Sequence, residues 1–296
     1  MLAAAFCAVV SARTAETDAC IRRVSRSQQH EDERLLPLLR LLTGGGPGTF
    51  VEIGALNGVL YSNTIALETC LHWTGLLIEG NPRNAQSLLR SSRRAHKLHS
   101  AVCDPPGNVT FYEWGTQYGG EVGMHAAAYM QRYQSRFAKG SKDAKNMSTY
   151  STVQVPCRPM SHMLEEVGLR SVDFLSLDVE GSELKVLQAA DVHAFKLIMV
   201  ELDARNLEKD EAVRDLLRHG GFTFVQCEVG NNEVWVQRNL LSQEHTGTLS
   251  CNTSVPSKKK LRGRANVHGA SLPKPHGRDS SSVMRPASPW EDDKIS

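Results

Sequence analysis

The chain has 296 residues, 41% of them hydrophobic, enough to bury one sizeable core, and its composition lacks the bias of a collagen, a coiled coil or a wholly disordered protein. With 34 Lys and Arg against 32 Asp and Glu the formal charge is +2, so the chain as a whole gives no reason to expect a nucleic-acid partner. No internal stretch is long and apolar enough to span a bilayer.

In chain order, the apolar run Leu2 to Val10 followed by Val10-Ser11-Ala12 has the form of a signal peptide over residues 1–12, although no Lys or Arg precedes it. Cleavage there leaves six cysteines, Cys20, Cys70, Cys103, Cys157, Cys227 and Cys251, an even number that suits an oxidising compartment. Cys103 and Cys157 flank core elements and are the pair expected to bridge; the other reading is buried free thiols. Asn108, Asn146 and Asn252 open glycosylation sequons. These clues together favour the secretory lumen, with the cytoplasm as the alternative. Residues 13–48 form a lead-in, polar from Thr14 to His30, then a leucine-rich helix from Asp32 to Leu42, interrupted by Pro37, expected to pack on the sheet edge.

The fold domain is expected over residues 49–240. Thr49-Phe-Val-Glu-Ile-Gly-Ala-Leu-Asn-Gly58 reads as a buried strand ending in a glycine turn, with a helix from Tyr61 to Leu71. Its acidic-x-Gly-x-x-x-Gly spacing differs from the dinucleotide fingerprint and suits a ligand with a cationic amino group. Gly75 to Glu79 is a second strand ending in a carboxylate able to accept from ribose hydroxyls. Lys97 to Val102 is a third, followed by the turn at Asp104, and Val109 to Trp114 a further one. Gly115 to Tyr150 lacks a period and is expected to carry acceptor contacts, with Gln117, Tyr118, Glu121 and His125 as candidates by position.

Thr152 to Pro156 is a short strand and Met160 to Val167 a helix. Phe174 to Val179 is a buried strand carrying Asp178 and Glu180 at its carboxyl end, with Ser182 expected to cap the next helix. Two carboxylates there are costly unless a charged ligand, a metal or a proton-transfer role accounts for them; Glu180 has the plainer alternative of pairing with Lys185. Phe195 to Leu202 is a strand, Leu207 to His219 an amphipathic helix, and the alternation around Gly230-Asn-Asn232 an antiparallel hairpin. Residues 241–296, including the basic run Lys258 to Arg264, read as a disordered tail. The order implies an α/β fold, a doubly wound Rossmann-like sheet, mostly parallel with an antiparallel terminal hairpin.

At this point the chain resembles the class I S-adenosylmethionine-dependent methyltransferases and, more closely, the FkbM family. Phe50 to Gly58, Leu77-Ile-Glu-Gly-Asn-Pro82 and Leu177-Asp-Val-Glu-Gly-Ser-Glu183 look like its three signature blocks, and Ser62-Asn-Thr64, Val155-Pro-Cys157 and the terminal hairpin are similar to a eukaryotic branch. The resemblance, from Thr49 to about Arg238, implies S-adenosyl-L-methionine as cofactor. Glu52, Gly54 and Gly58 would hold its methionine part, Glu79 the ribose hydroxyls, and Asp104 with the Ala101-Val102 backbone the adenine. Asp178 would face the methyl group and act as base, with Glu180 supporting its loop. Leu56 stands where the family more often has a polar residue. A hydroxyl on a sugar, glycan or small metabolite is the expected acceptor. No metal is expected; the alternative is a divalent ion on Asp178 and Asp203. A non-catalytic lumenal binding module on the same fold is the second reading, and a nicotinamide-dependent oxidoreductase is disfavoured by the missing fingerprint.

Overall fold

A computed structural model describes residues 14–112, 120–122, 152–202, 204 and 206–241. The chain divides into two units, Met1–Lys258 and Lys259–Ser296, the second wholly outside the described residues, as are the leader and the basic tail run.

Short runs of β-branched, aromatic and leucine side chains make the central strands β1 (Thr49–Ile53), β2 (Thr74–Glu79), β7 (Val172–Leu177) and β8 (Phe195–Glu201). They are buried on both faces, as strands sandwiched between helices must be. With β3 (His96–His99), β9 (Phe222–Val229) and β10 (Asn232–Gln237) they form a seven-stranded sheet in the order β3-β2-β1-β7-β8-β10-β9. All pairs are parallel except β8 with β10 and β10 with β9, so the expected doubly wound sheet with an antiparallel terminal hairpin is present. Alternation along the strands sends Val51, Ile53, Leu175 and Leu177 to one face, under α5 (Met160–Glu166), α6 (Glu183–Gln188) and α7 (Leu207–His219). Phe50, Leu77, Phe174 and Leu197 go to the other, under α2 (Glu31–Thr43), α3 (Ile65–Leu71) and α4 (Pro82–Arg90).

Several elements differ from expectation for local reasons. The third strand stops at His99, and Ala101–Val102 becomes a separate β4 in a second sheet, β4-β6-β5, with β5 (Gly107–Tyr112) and β6 (Thr152–Arg158). Cys103 and Cys157 are disulfide-bonded across the adjoining ends of β4 and β6, as expected. The polar lead-in holds a helix that the sequence reading missed, α1 (residues 14–24), pinned by a Cys20–Cys70 disulfide to α3 and by Ile21 packing on Leu36 and Ala66. The leucines of α2 lie on the sheet face, not its edge, because Leu35, Leu38 and Leu39 meet Phe50, Phe174 and Leu197. Pro37 is accommodated inside that helix. Residues 61–64, expected to be helical, are instead a loop gathered around a buried carboxylate.

Candidate active site

A cleft opens at the carboxyl ends of β1, β2 and β7. That is the position where loops of an open parallel sheet meet and where ligands of such folds bind.

Gly54 ends β1 at φ 84°, and a Cβ there would lie 1.9 Å from the Asp178 carbonyl oxygen. Only glycine lets the β1 turn close onto the end of β7 in this way. Asp178 N donates back to Ile53 O at 3.2 Å, so the two signature turns form one unit. Leu56 follows at φ 49° and donates its N–H to Glu79 Oε2 at 2.7 Å; its side chain faces the cleft.

Glu52 points to the α3 face, as its place between Val51 and Ile53 dictates. Its Oε2 accepts from Ser62 Oγ at 2.8 Å and Thr64 Oγ1 at 2.5 Å, and its Oε1 from Asn63 N at 2.8 Å. Arg93, equally buried, donates to Glu68 Oε2, Gly58 O, Ser62 Oγ and Thr64 Oγ1 and lies 3.9 Å from Glu52. Glu52 is therefore chiefly committed to shaping loop 61–64, and little of its carboxylate remains for a ligand. The acceptor that loop presents is Asn63, whose Nδ2 donates to Ser176 Oγ at 3.0 Å while its Oδ1 is buried without a hydrogen-bond partner.

Gly58 was expected to hold the methionine part of the cofactor. It does not line the cleft, and its missing Cβ makes room for Leu88 at 2.8 Å and for the Arg93 stem at 3.2 Å. Asp104 was expected beside the adenine. β4 turns away into the second sheet, leaving Asp104 exposed and outside the cleft lining, whereas Ala101 and Val102 do line it. Phe111, from β5, supplies what the sequence reading missed on that side. Its ring lies against Gly80, where a Cβ would be only 2.5 Å away, and borders the cleft with Ser100.

Glu79 is buried and accepts from Leu56 N and from Asn81 N, each at 2.7 Å. Burial pushes its carboxyl up to about 7, and those two amide bonds hold it back from rising further. At the end of β7, burial raises Asp178 well above the usual carboxylate range, reinforced by the charges of Glu201 and Glu180 and a hydrogen bond with Glu201. Asp178 Oδ1 is buried with no hydrogen-bond partner. The three carboxylates Asp178, Glu180 and Glu201 each offer an oxygen within 4.8 Å of the others, a spacing that fits a shared proton or a hard divalent cation. Glu201, the last residue of β8, is the carboxylate that the structure brings to Asp178, whereas the sequence reading considered Asp203 for that place; Asp203 lies outside the described residues.

Glu180 lines the cleft at φ 53°, in a turn where Gly181 N donates to Glu183 Oε1. Ser182 does not cap α6 with its side chain; its hydroxyl donates to Glu121 Oε2 at 3.3 Å, and Lys185 pairs with Glu121 instead of Glu180. Glu121 borders the cleft, while Gln117, Tyr118 and His125 lie outside the described residues.

The FkbM methyltransferase domain model matches residues 52–224, more than half of the chain. The chain belongs to the FkbM methyltransferase family. The matched region includes the three turns that build this cleft. Among solved structures, this FkbM protein is similar to precorrin-6y C5,15-methyltransferase from Geobacter metallireducens GS-15, at 12% identity over 68% of this chain and 84% of that one, with a TM-score of 0.33. It is also similar to human methyltransferase-like protein 13 in complex with SAH, at 14% identity over 86% and 97%, with a TM-score of 0.36. No curated protein matches it.

Proposed function

We propose that the protein is an S-adenosylmethionine-dependent O-methyltransferase acting on a hydroxyl of a sugar, glycan or small metabolite. The observation that carries this reading is the pair of buried acceptors without partners in the cleft, Asn63 Oδ1 and Asp178 Oδ1. Such atoms are costly in an empty fold and call for a cationic or proton-donating ligand. Asn63 Oδ1, with what Glu52 Oε1 has left, would receive the ammonium of the methionine part. Glu79, which borders the cleft at the end of β2, would meet the ribose hydroxyls, and Phe111, Ala101 and Val102 border the space for adenine. Bound there, the cofactor supplies a methyl group already activated by its sulfonium.

What remains for the protein is to orient an acceptor, exclude water and take up one proton. Asp178 is the base. A carboxylate raised by burial and by Glu201 and Glu180 is a stronger base than a free one, and Oδ1 is the atom without a partner. Glu180 and Glu201 accept part of that proton's positive charge and so stabilise the proton once transferred. Two disulfides among the described residues accord with residence in the secretory lumen, and exposed Asn108 is a glycosylation position there.

Titration with S-adenosylhomocysteine, followed by tritium transfer from labelled S-adenosylmethionine to released glycans, tests the reading. Saturable binding lost on Glu79→Ala and a mass gain of one methylene on an acceptor oxygen are expected. Absence of binding in the wild type would favour a non-catalytic binding module.

A further inference from the structure

The segment ahead of the family's matched region contributes to the cleft. Helix α2 has 13 residues, about 20 Å of rise, and ends at Gly44 to Gly46, which lead directly into the start of β1. A helix that delivers the chain to the amino end of β1 must begin at the opposite edge of the sheet, where the cleft opens. The loop before it, residues 25–30, is held firmly there. Ser25 Oγ and Ser27 Oγ both donate to buried Asp32 Oδ1, at 2.8 and 2.7 Å. Gln29 N donates to Glu31 Oε2, and buried Arg34 Nε donates to Gln29 O.

The loop's outer contacts fix which half of the cleft it covers. The Gln29 side chain lies against Gly230, and Asn232 Nδ2 donates to Glu31, both at the β9–β10 turn. That turn adjoins the carboxyl end of β8, through Leu202 N to Asn231 O and the pairing of Asn232 with Glu201. Glu79, Gly80 and Phe111 stand on the other side of β1, at β2. The loop is therefore a wall of the Asp178 half. From it Gln28, an exposed side chain with no hydrogen bond among the described residues, lines the cleft.

Resting on the methyltransferase reading above, we propose that Gln28 is an acceptor-selecting residue, its carboxamide hydrogen-bonding a neutral, hydroxyl-rich acceptor such as a saccharide. A carboxamide offers two N–H donors and one carbonyl acceptor and no charge, so it matches adjacent hydroxyls and supplies no cation to offset the charge of a phosphate. Because the loop lies outside the region shared by the family, it is a natural place for this chain to differ in acceptor from its relatives.

The test compares wild type and Gln28→Ala in tritium transfer from labelled S-adenosylmethionine to two fractions, neutral glycans and phosphorylated sugars, with S-adenosylhomocysteine titrated in parallel. Expected are labelling of the neutral fraction, KM for that fraction raised about tenfold in the variant as for loss of one or two neutral hydrogen bonds, kcat kept within about threefold, and an unchanged Kd for S-adenosylhomocysteine. An unchanged KM, labelling of the phosphorylated fraction alone, or a tenfold weaker S-adenosylhomocysteine affinity in the variant would each overturn the proposal. Wild type that binds S-adenosylhomocysteine yet labels neither fraction would overturn it while leaving the cofactor assignment standing; wild type that does not bind would overturn the methyltransferase reading itself.

Discussion

Replacing Glu79 by Gln separates what the fold needs from what the ligand needs. The Glu79 carboxyl titrates near 4.5 in an unfolded chain and about 7 in the folded one, chiefly because it is buried. Between those values the folded protein binds more protons than the unfolded one, so stability falls as pH rises through this window and levels off above it. The two values differ by the equivalent of about 3 kcal/mol at 1.36 kcal/mol per pH unit. An ionised Glu79 is thus a liability to the fold at neutral pH, offset only when hydroxyl donors arrive. Urea unfolding followed by tryptophan fluorescence, from pH 4 to 8, should show the wild type losing about 3 kcal/mol relative to Glu79→Gln across that range, because the amide does not titrate. Burial of Asp32, raised to about 6, tilts both curves alike and cancels in the difference. S-adenosylhomocysteine should bind wild type more tightly as pH rises toward 8 and bind the variant with little pH dependence. Parallel unfolding curves for the two proteins would refute the argument that burial of this carboxylate is uncompensated in the free protein.

Asp178→Asn should reduce methyl transfer by about 100-fold or more while S-adenosylhomocysteine affinity stays within a factor of two or so; an Asn variant with full activity removes the base role. In the wild type the rate should climb with pH, since burial and Glu201 raise the group that must be ionised. If the carboxylate cluster shares a proton and holds no cation, chelator treatment leaves the rate unchanged; a loss restored by magnesium would reassign the cluster to metal binding. Arg93→Met breaks a buried ion pair with Glu68 and strands Glu52, so a loss of about 3–5 kcal/mol is expected, and an unchanged melting temperature would contradict it. Gly54→Ala should abolish S-adenosylhomocysteine binding, because the new Cβ meets the Asp178 carbonyl in a backbone conformation unsuited to alanine; retained affinity would count against the joined-turn description.

The sheet was legible because its central strands are predominantly apolar runs bounded by turn residues, and the terminal hairpin because Gly230-Asn-Asn232 interrupts an alternating pattern. What escaped was set by contacts distant in sequence. Ser62, Asn63 and Thr64 read as the start of a helix until Glu52 and Arg93, ten and thirty or so positions away in either direction, are seen to hold them as a loop. Gly58 reads as a ligand glycine, while the space beside it is taken by Leu88 of α4 and by Arg93, beyond the end of that helix. Asp104 followed from treating Lys97 to Val102 as one strand, and the Ser100 backbone, bonded to Glu79 O, is where that strand leaves the main sheet. Gln28 and Phe111 carry no local signal at all; only topology brings them to the cleft.

Two disulfides among the described residues bear on how material for any of these experiments is made. Cys20–Cys70 and Cys103–Cys157 close loops with sequence separations of 50 and 54, each worth about 4 kcal/mol on loop-closure grounds. Neither bond crosses the seven-stranded sheet: one ties the lead-in helix to α3, and the other staples the small sheet that carries Ala101 and Val102. Protein produced in a reducing bacterial cytosol would keep the sheet core and its circular dichroism while the two side walls of the cleft come loose. Solubility and a folded spectrum are therefore poor guides to a competent preparation, and a free-thiol assay on the purified chain is the quality control that matters.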